Sequence, residues 1–189
     1  MKKVKYVYHG SRIQGLKTIK KNKSTHDKPW VYGTLSKEIS IIFISNKGSD
    51  LYYYLSGNGT KNNPIILVER KENMFKEIFN VSGSLYTLSG KNFVSGKTNW
   101  SGEVISEFDE NVLCEEHINN VFEKLKELNA KGQLKLYLYP DRPSFIPKDN
   151  SDLIPKVIRW QKRGIDINQF FKLYPELKEK YLKMLEENK

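Results

Sequence analysis

A histidine, a glycine and a hydroxyl residue arrive together in Tyr8-His9-Gly10-Ser11-Arg12, where a run of valine and tyrosine alternating with lysine from Val4 to Tyr8 stops. Imidazole offers a donor and an acceptor near neutral pH, glycine lets backbone approach a ligand closely, and serine adds a small polar group. Such a cluster suits a polar ligand bound edge-on, and it is equally what a plain strand-ending turn looks like. A second such place is Glu103-Val104-Ile105-Ser106-Glu107, where alternation puts Glu103, Ile105 and Glu107 on one face and Val104 and Ser106 on the other. On an inner strand a carboxylate beside isoleucine is partly desolvated and suited to a defined hydrogen-bonding task; on an edge strand it is simply solvated. Tyr52, Tyr53 and Tyr54 in a row are either a stacking platform or one core residue and two surface ones. His26 in a basic loop and His117 on a polar helix flank read as solvated, and Cys114, beside Glu115 and Glu116, reads as filler because the acids disfavour a thiolate.

Period-two alternation predicts strands at Val4 to Tyr8, Glu103 to Glu107 and Leu134 to Tyr139; Pro29 to Thr34, closed by glycine, and Ser84 to Leu88 also read as strands, and Ile65 to Arg70, opening with four apolar residues in a row, predicts a central strand. Threefold spacing of Ile13, Leu16 and Ile19 predicts a short helix within Ile13 to Lys21, and Asp50 to Leu55 a helical turn. Ser36 is a natural cap for a buried helix from Lys37 to about Ile44, and Ile118, Val121, Phe122, Leu125 and Leu128 predict a helix from Glu115 to Lys131 with Gly132 as its stop. From Ser151 the texture becomes helical and rich in basic and aromatic residues, with Pro175 breaking or restarting the pattern. The expected organisation is an α+β unit over 1–150 and a C-terminal helical extension over 151–189 packed on it.

At 189 residues the chain suits one domain, and 38% hydrophobic with 12% aromatic residues is enough for a core. A single cysteine favours a reducing compartment, no apolar run is long enough to cross a bilayer, and the opening residues lack a signal peptide's apolar core, so a cytoplasmic protein is expected. The formal charge of +10 is attractive to nucleic acid, anionic membrane or a phosphate-bearing ligand, although lysines scattered along the chain also serve solubility. There is no glycine-rich phosphate loop, no metal-ligand spacing and no nucleophile elbow, which disfavours dinucleotide-fold, nucleotide-triphosphatase, zinc and serine-hydrolase chemistry.

An ordered set remains: His9, Tyr32, Ser40, Phe43 and Glu103. Here the sequence resembles the His-Tyr-Glu branch of the ADP-ribosyltransferase superfamily, which includes diphtheria toxin and the poly(ADP-ribose) polymerases. Tyr8-His9-Gly10-Ser11-Arg12 looks like the first-strand motif, and Val31-Tyr32-Gly33-Thr34 resembles the second. Ser40 stands eight residues past Tyr32 and Phe43 eleven past it, and Glu103-Val104-Ile105-Ser106 is similar to the strand that opens with the catalytic glutamate.

The resemblance implies a mainly antiparallel split sheet with short helices, NAD as substrate, and transfer of ADP-ribose to an unknown protein or nucleic-acid acceptor or to water. It implies that the Gly10 backbone and the Ser40 hydroxyl hold the nicotinamide carboxamide and that His9 bonds the adenosine ribose. Tyr32 and Phe43 would sandwich the nicotinamide ring, with Ser11 completing the NAD-binding set. Glu103 would bond the nicotinamide ribose and stabilise the developing cation, making Glu103, His9 and Tyr32 the catalytic set; no metal and no membrane are implied. Two departures stand out: Gly33-Thr34 occupies a place often aromatic, and no second acid lies two places before Glu103. The alternative is a noncatalytic basic module of the same fold that binds nucleic acid or a protein partner.

Overall fold

In the computed structural model, which describes residues 4–23, 28–46, 51–98 and 100–187, the alternating stretches assemble into one large sheet and one small one. Strand β1 (Tyr6–Ser11) runs between β4 (Pro29–Thr34) and β7 (Gly83–Ser89), antiparallel to both. Beyond β4 come β9 (Glu103–Ser106) and β8 (Val94–Ser95); beyond β7 come β10 (Glu110–Ile118) and β2 (Thr18–Ile19); β3 (Asn22–Lys23) pairs with β4 off that path. In the small sheet β6 (Ile66–Glu69) lies antiparallel to β5 (Tyr53–Ser56) and parallel to β11 (Lys135–Tyr137). The unbroken apolar run around β6 therefore has a neighbour on each side, although in the lesser sheet. The architecture is α+β, mainly antiparallel, with several short helices.

Helix α1 (Lys37–Ile42) begins where the sequence predicts, because the Ser36 side chain accepts the Ile39 N–H that the first turn leaves without a partner. The helix lies directly on the sheet at two glycines. A Cβ on Gly10 would stand 1.9 Å from the Ser40 carbonyl oxygen, and one on Gly83 would stand 2.4 Å from the Ile44 side chain. Alternation along β7 then divides the interior. Leu85 joins Ile39, Ile42, Phe75 and Phe79 in the larger core, while Tyr86 and Leu88 join Val7, Val31 and Val104 in the smaller one. Helices α2 (Met74–Phe79) and α3 (Val121–Ala130) close the larger core, and nothing in the sequence periodicity announces α2.

Three expectations are overturned. Ile13 to Lys21 is not helical: it is an extended strap whose Thr18 and Ile19 pair with Asn111 and Glu110 of β10. Leu16 and Ile19 do face inward against the smaller core, but Ile13 is 64% exposed and Gly15 adopts φ +74°, which ends any helical run. The helix expected from Glu115 begins only at Val121, where Asn120 caps it by accepting the Glu123 N–H. Glu115 to Ile118 instead extend β10, which pairs with β7 from Val112↔Leu88 to Ile118↔Gly83, so His117 sits on a strand. Residues 51–52 are a turn leading into β5 rather than part of a helical one, and Asp50 and His26 lie outside the described residues.

The tail is helical as expected: a 3₁₀ turn at Ser151–Leu153, α4 (Ile154–Lys162), α5 (Asn168–Leu173), a second 3₁₀ turn that Pro175 restarts, and α6 (Lys178–Glu186). Asn150 stands in the capping position of the first turn, and Ser151 lies inside it. Leu153, Val157, Phe170, Tyr174 and Leu177 belong to the same core as α1 and α2. Buried Arg70 binds Asp152 through two nitrogens at 3.1 and 2.9 Å, and the Tyr174 hydroxyl donates to the Leu51 carbonyl at 2.5 Å. The composition boundary at residue 150 is thus a change of texture within one core. Phe170→Ala is expected to remove about 3–5 kcal/mol of stability, as deletion of a buried ring does. Urea unfolding followed by tryptophan fluorescence should keep one transition at a lower midpoint, and a separate early transition for the tail would contradict the shared core.

Candidate functional site

Glu103, Tyr32 and His9 reside on three adjacent strands, β9, β4 and β1. Register sets their directions. Thr34 lies opposite both Tyr8 and Glu103, and Tyr32 lies opposite Ile105, so Tyr32, Thr34, Glu103 and Tyr8 share the face on which α1 packs. His9, one residue out of phase, starts toward the other face with Val7. The link between them is in the plane of the strands: His9 Nδ1 lies 2.8 Å from the Tyr32 carbonyl oxygen. That contact falls where β1 and β4 part, since among the described residues they pair only at Tyr8↔Thr34 while β1 continues along β7 as far as Ser11.

A carbonyl can only accept, so Nδ1 carries the proton and, in the neutral ring, Nε2 is left as an acceptor. Burial lowers the His9 pKa below its usual 6.5, with the Tyr32 carbonyl pulling the other way, so the ring is neutral at physiological pH. The Tyr32 phenol is shifted the opposite way, upward from 10.0, first by desolvation and then by the negative charge of Glu103. It stays a protonated donor and bonds the Lys28 carbonyl at 3.2 Å. Half-buried Glu103 opens β9, and its N–H donates to the Trp100 carbonyl at 3.1 Å, which fixes where the strand starts.

Ser40 is buried on α1, and its hydroxyl lies 2.8 Å from that of Thr34. Thr34 donates its single hydroxyl proton to the Ser36 carbonyl at 2.6 Å, so Ser40 must be the donor in the Ser40–Thr34 pair. Phe43, 41% exposed at the end of α1, meets Trp100 edge-to-face with ring centroids 5.7 Å apart. Gly10 is required here by packing, because the space for a side chain is already taken by the Ser40 carbonyl. Ser11 turns away from this group: its hydroxyl accepts the Ile13 N–H at 3.1 Å and bends the chain into the strap.

The structure therefore brings Tyr32 and Glu103 within electrostatic reach, ties His9 to Tyr32 through backbone, stacks Ser40 on Thr34, and leaves Ser11 in its own turn. Two residues escape the sequence reading. Thr34 fixes the direction of the Ser40 hydroxyl, and its position two residues after Tyr32, hence on the same face, was the available signal. Trp100 braces Phe43 and has no local sequence signal, since a loop tryptophan has no periodicity to place it. No group of three or more His, Cys, Asp or Glu capable of holding a metal occurs among the described residues, nor does a helix long and apolar enough to cross a membrane. Comparison with family models, with curated proteins and with solved structures finds no match to this chain.

Because the His9 pKa is lowered on folding, the unfolded chain binds the extra proton first. The stability contributed by neutral His9 is full above about pH 6.5 and is lost as pH falls below that value toward the lower native one. Urea midpoints measured between pH 7 and 5 should decline, and His9→Gln should flatten the decline in that window.

Proposed function

We propose that this chain has an ADP-ribosyltransferase-like fold and that the group around His9, Tyr32 and Glu103 binds NAD and breaks its nicotinamide–ribose bond. The observation that carries the reading is that a half-buried carboxylate, Glu103, and a phenol, Tyr32, share one face of the paired strands β9 and β4, beside the strand bearing a neutral histidine. In such a reaction the C1–N bond breaks with its electron pair leaving on nicotinamide, which departs neutral, and a cation develops on the ribose. A fixed carboxylate favours that cation more than it favours the ground state. An acceptor hydroxyl, amine or water then bonds the anomeric carbon, and its proton passes to Glu103 or solvent.

The other residues bind and orient. His9 Nε2, an acceptor in the neutral ring, suits a ribose hydroxyl. Ser40 keeps two lone pairs, oriented by its bond to Thr34, for the N–H of a carboxamide. Phe43, held by Trp100, and Tyr32 offer ring faces to nicotinamide. The Glu103→Gln protein should release nicotinamide from NAD at least about a hundredfold more slowly than the unaltered protein, the scale seen when one charge-stabilising group is removed. Chromatography of the released base measures this, and equal rates would remove Glu103 from the mechanism.

A further inference from the structure

The positive charge of this chain is concentrated at one place. Lysines occur along the whole sequence, but residues 1–37 hold ten Lys and Arg against a single acid, Asp27, and so account for nearly all of the formal +10. The helical tail, which looks basic in the sequence, is close to balanced, with nine Lys and Arg against six acids after residue 150. Among the described residues the excess lies on the strap between β1 and β4, where Arg12, Lys17, Lys20, Lys21, Lys23 and Lys28 are all exposed.

The way the strap is held explains why these side chains face water. Its backbone is anchored by groups of β7 and β10. Tyr86 OH takes the Leu16 N–H at 3.1 Å, Glu115 the Gly15 N–H at 2.8 Å, Asp109 the Lys21 N–H at 2.8 Å, and the Lys17 carbonyl accepts the Val112 N–H at 3.0 Å. Glu115 and Asp109 thus bond its amides, Glu110 opposite Ile19 accepts from Ser106 and Asn92, and none of Arg12, Lys17, Lys20, Lys21 and Lys28 pairs with a carboxylate among the described residues. With these three acids and Glu107 in the neighbouring turn counted against it, the ribbon remains cationic. From Lys17 to Lys23 it spans roughly 20 Å at strand spacing.

Rings accompany the cations. The bond from the Lys21 N–H to Asp109 sets the β9–β10 turn beside the strap, and that turn carries Phe108 with 62% of its surface exposed. Trp30 stands opposite Asn22 in the β3–β4 pair, 6.2 Å from the Tyr32 ring. Cations at intervals along an extended segment, with an exposed ring at its edge, match a chain of phosphates bearing unpaired bases. The diphosphate of one dinucleotide is too short to use the whole ribbon.

We propose that the strap from Arg12 to Lys23, with Lys28 and Phe108, is a binding surface for single-stranded nucleic acid. Both its ends adjoin the candidate cleft, since it leaves β1 just after Gly10 and Ser11 and returns at Lys28, whose carbonyl accepts the Tyr32 hydroxyl. The surface stands whether or not the cleft cleaves NAD.

Fluorescence anisotropy of labelled single strands of about 15 nucleotides, near the upper size of such sites, tests this with the full chain. Salt titration should give a slope of log affinity against log salt of about −3, as for four or five phosphate contacts. Replacing Lys17, Lys20 and Lys21 by Gln should flatten that slope by about 2, whereas Arg159→Gln with Lys162→Gln on α4 should leave it unchanged. Phe108→Ala should weaken binding about fivefold or more and tests the surface independently should the triple variant fold poorly. Glu103→Gln should bind like the unaltered protein, so loss of nicotinamide release and loss of strand binding are separable failures. Absence of saturable binding, equal loss from the α4 variant, duplex bound as tightly as single strand, or preference for phosphatidylserine vesicles would overturn the assignment.

Discussion

Everything around His9 and Tyr32 depends on how β1 and β4 part company. Two antiparallel strands that begin to diverge leave backbone groups without ladder partners, and a buried carbonyl in that position costs free energy unless something donates to it. The His9 side chain supplies the donor, bonding the Tyr32 carbonyl where the ladder ends. The sheet can then open without an orphaned acceptor, and the imidazole is held in one tautomer by the same contact. A residue that looks like a ligand-binding histidine is therefore a structural bond through Nδ1, and that bond leaves Nε2 as the ring's acceptor.

The opening is kept in place by close approach on the other face. Gly10 lets the backbone of α1 sit directly on the sheet, so the Ser40 carbonyl occupies the position a Cβ would need, and Gly83 makes room for the Ile44 side chain just past the helix. That contact positions Ser40, whose hydroxyl donates to Thr34, which in turn donates to the Ser36 carbonyl, and it sets Phe43 beside Trp100. Phe43 and Ser40 thus owe their places to glycines far away in sequence. The arrangement shows how α1, only six residues long, is specified less by its own helix propensity than by the surface waiting for it.

Much of this is legible in the sequence where the signal is local. Pro29 to Thr34, the Ser36 cap and the strand at Glu103 follow from alternation and capping, and each is found where the pattern places it. Legibility fails where partners are distant. The strap at Ile13 to Lys21 has helical spacing, but its conformation is dictated by Tyr86, Glu115 and Asp109, which no local window contains. Likewise Glu115 to Ile118 precede an apolar helical pattern so smoothly that the strand-to-helix change at Asn120 is hidden, and only the β7 pairing decides it. The Thr34–Ser40 bond and the Trp100–Phe43 contact escape for the same reason, being tertiary. The grouping of Tyr32 with Glu103 rests on strand order, which a single sequence does not state.

The larger core has one further property. Its members run from Ile39 through Leu85 to Phe170, Tyr174 and Tyr181, so segments far apart in sequence are needed for the same interior. Until residues 151–181 are synthesised, the part of that interior they fill is left open to solvent. Completion of this interior therefore waits until translation has passed Tyr181.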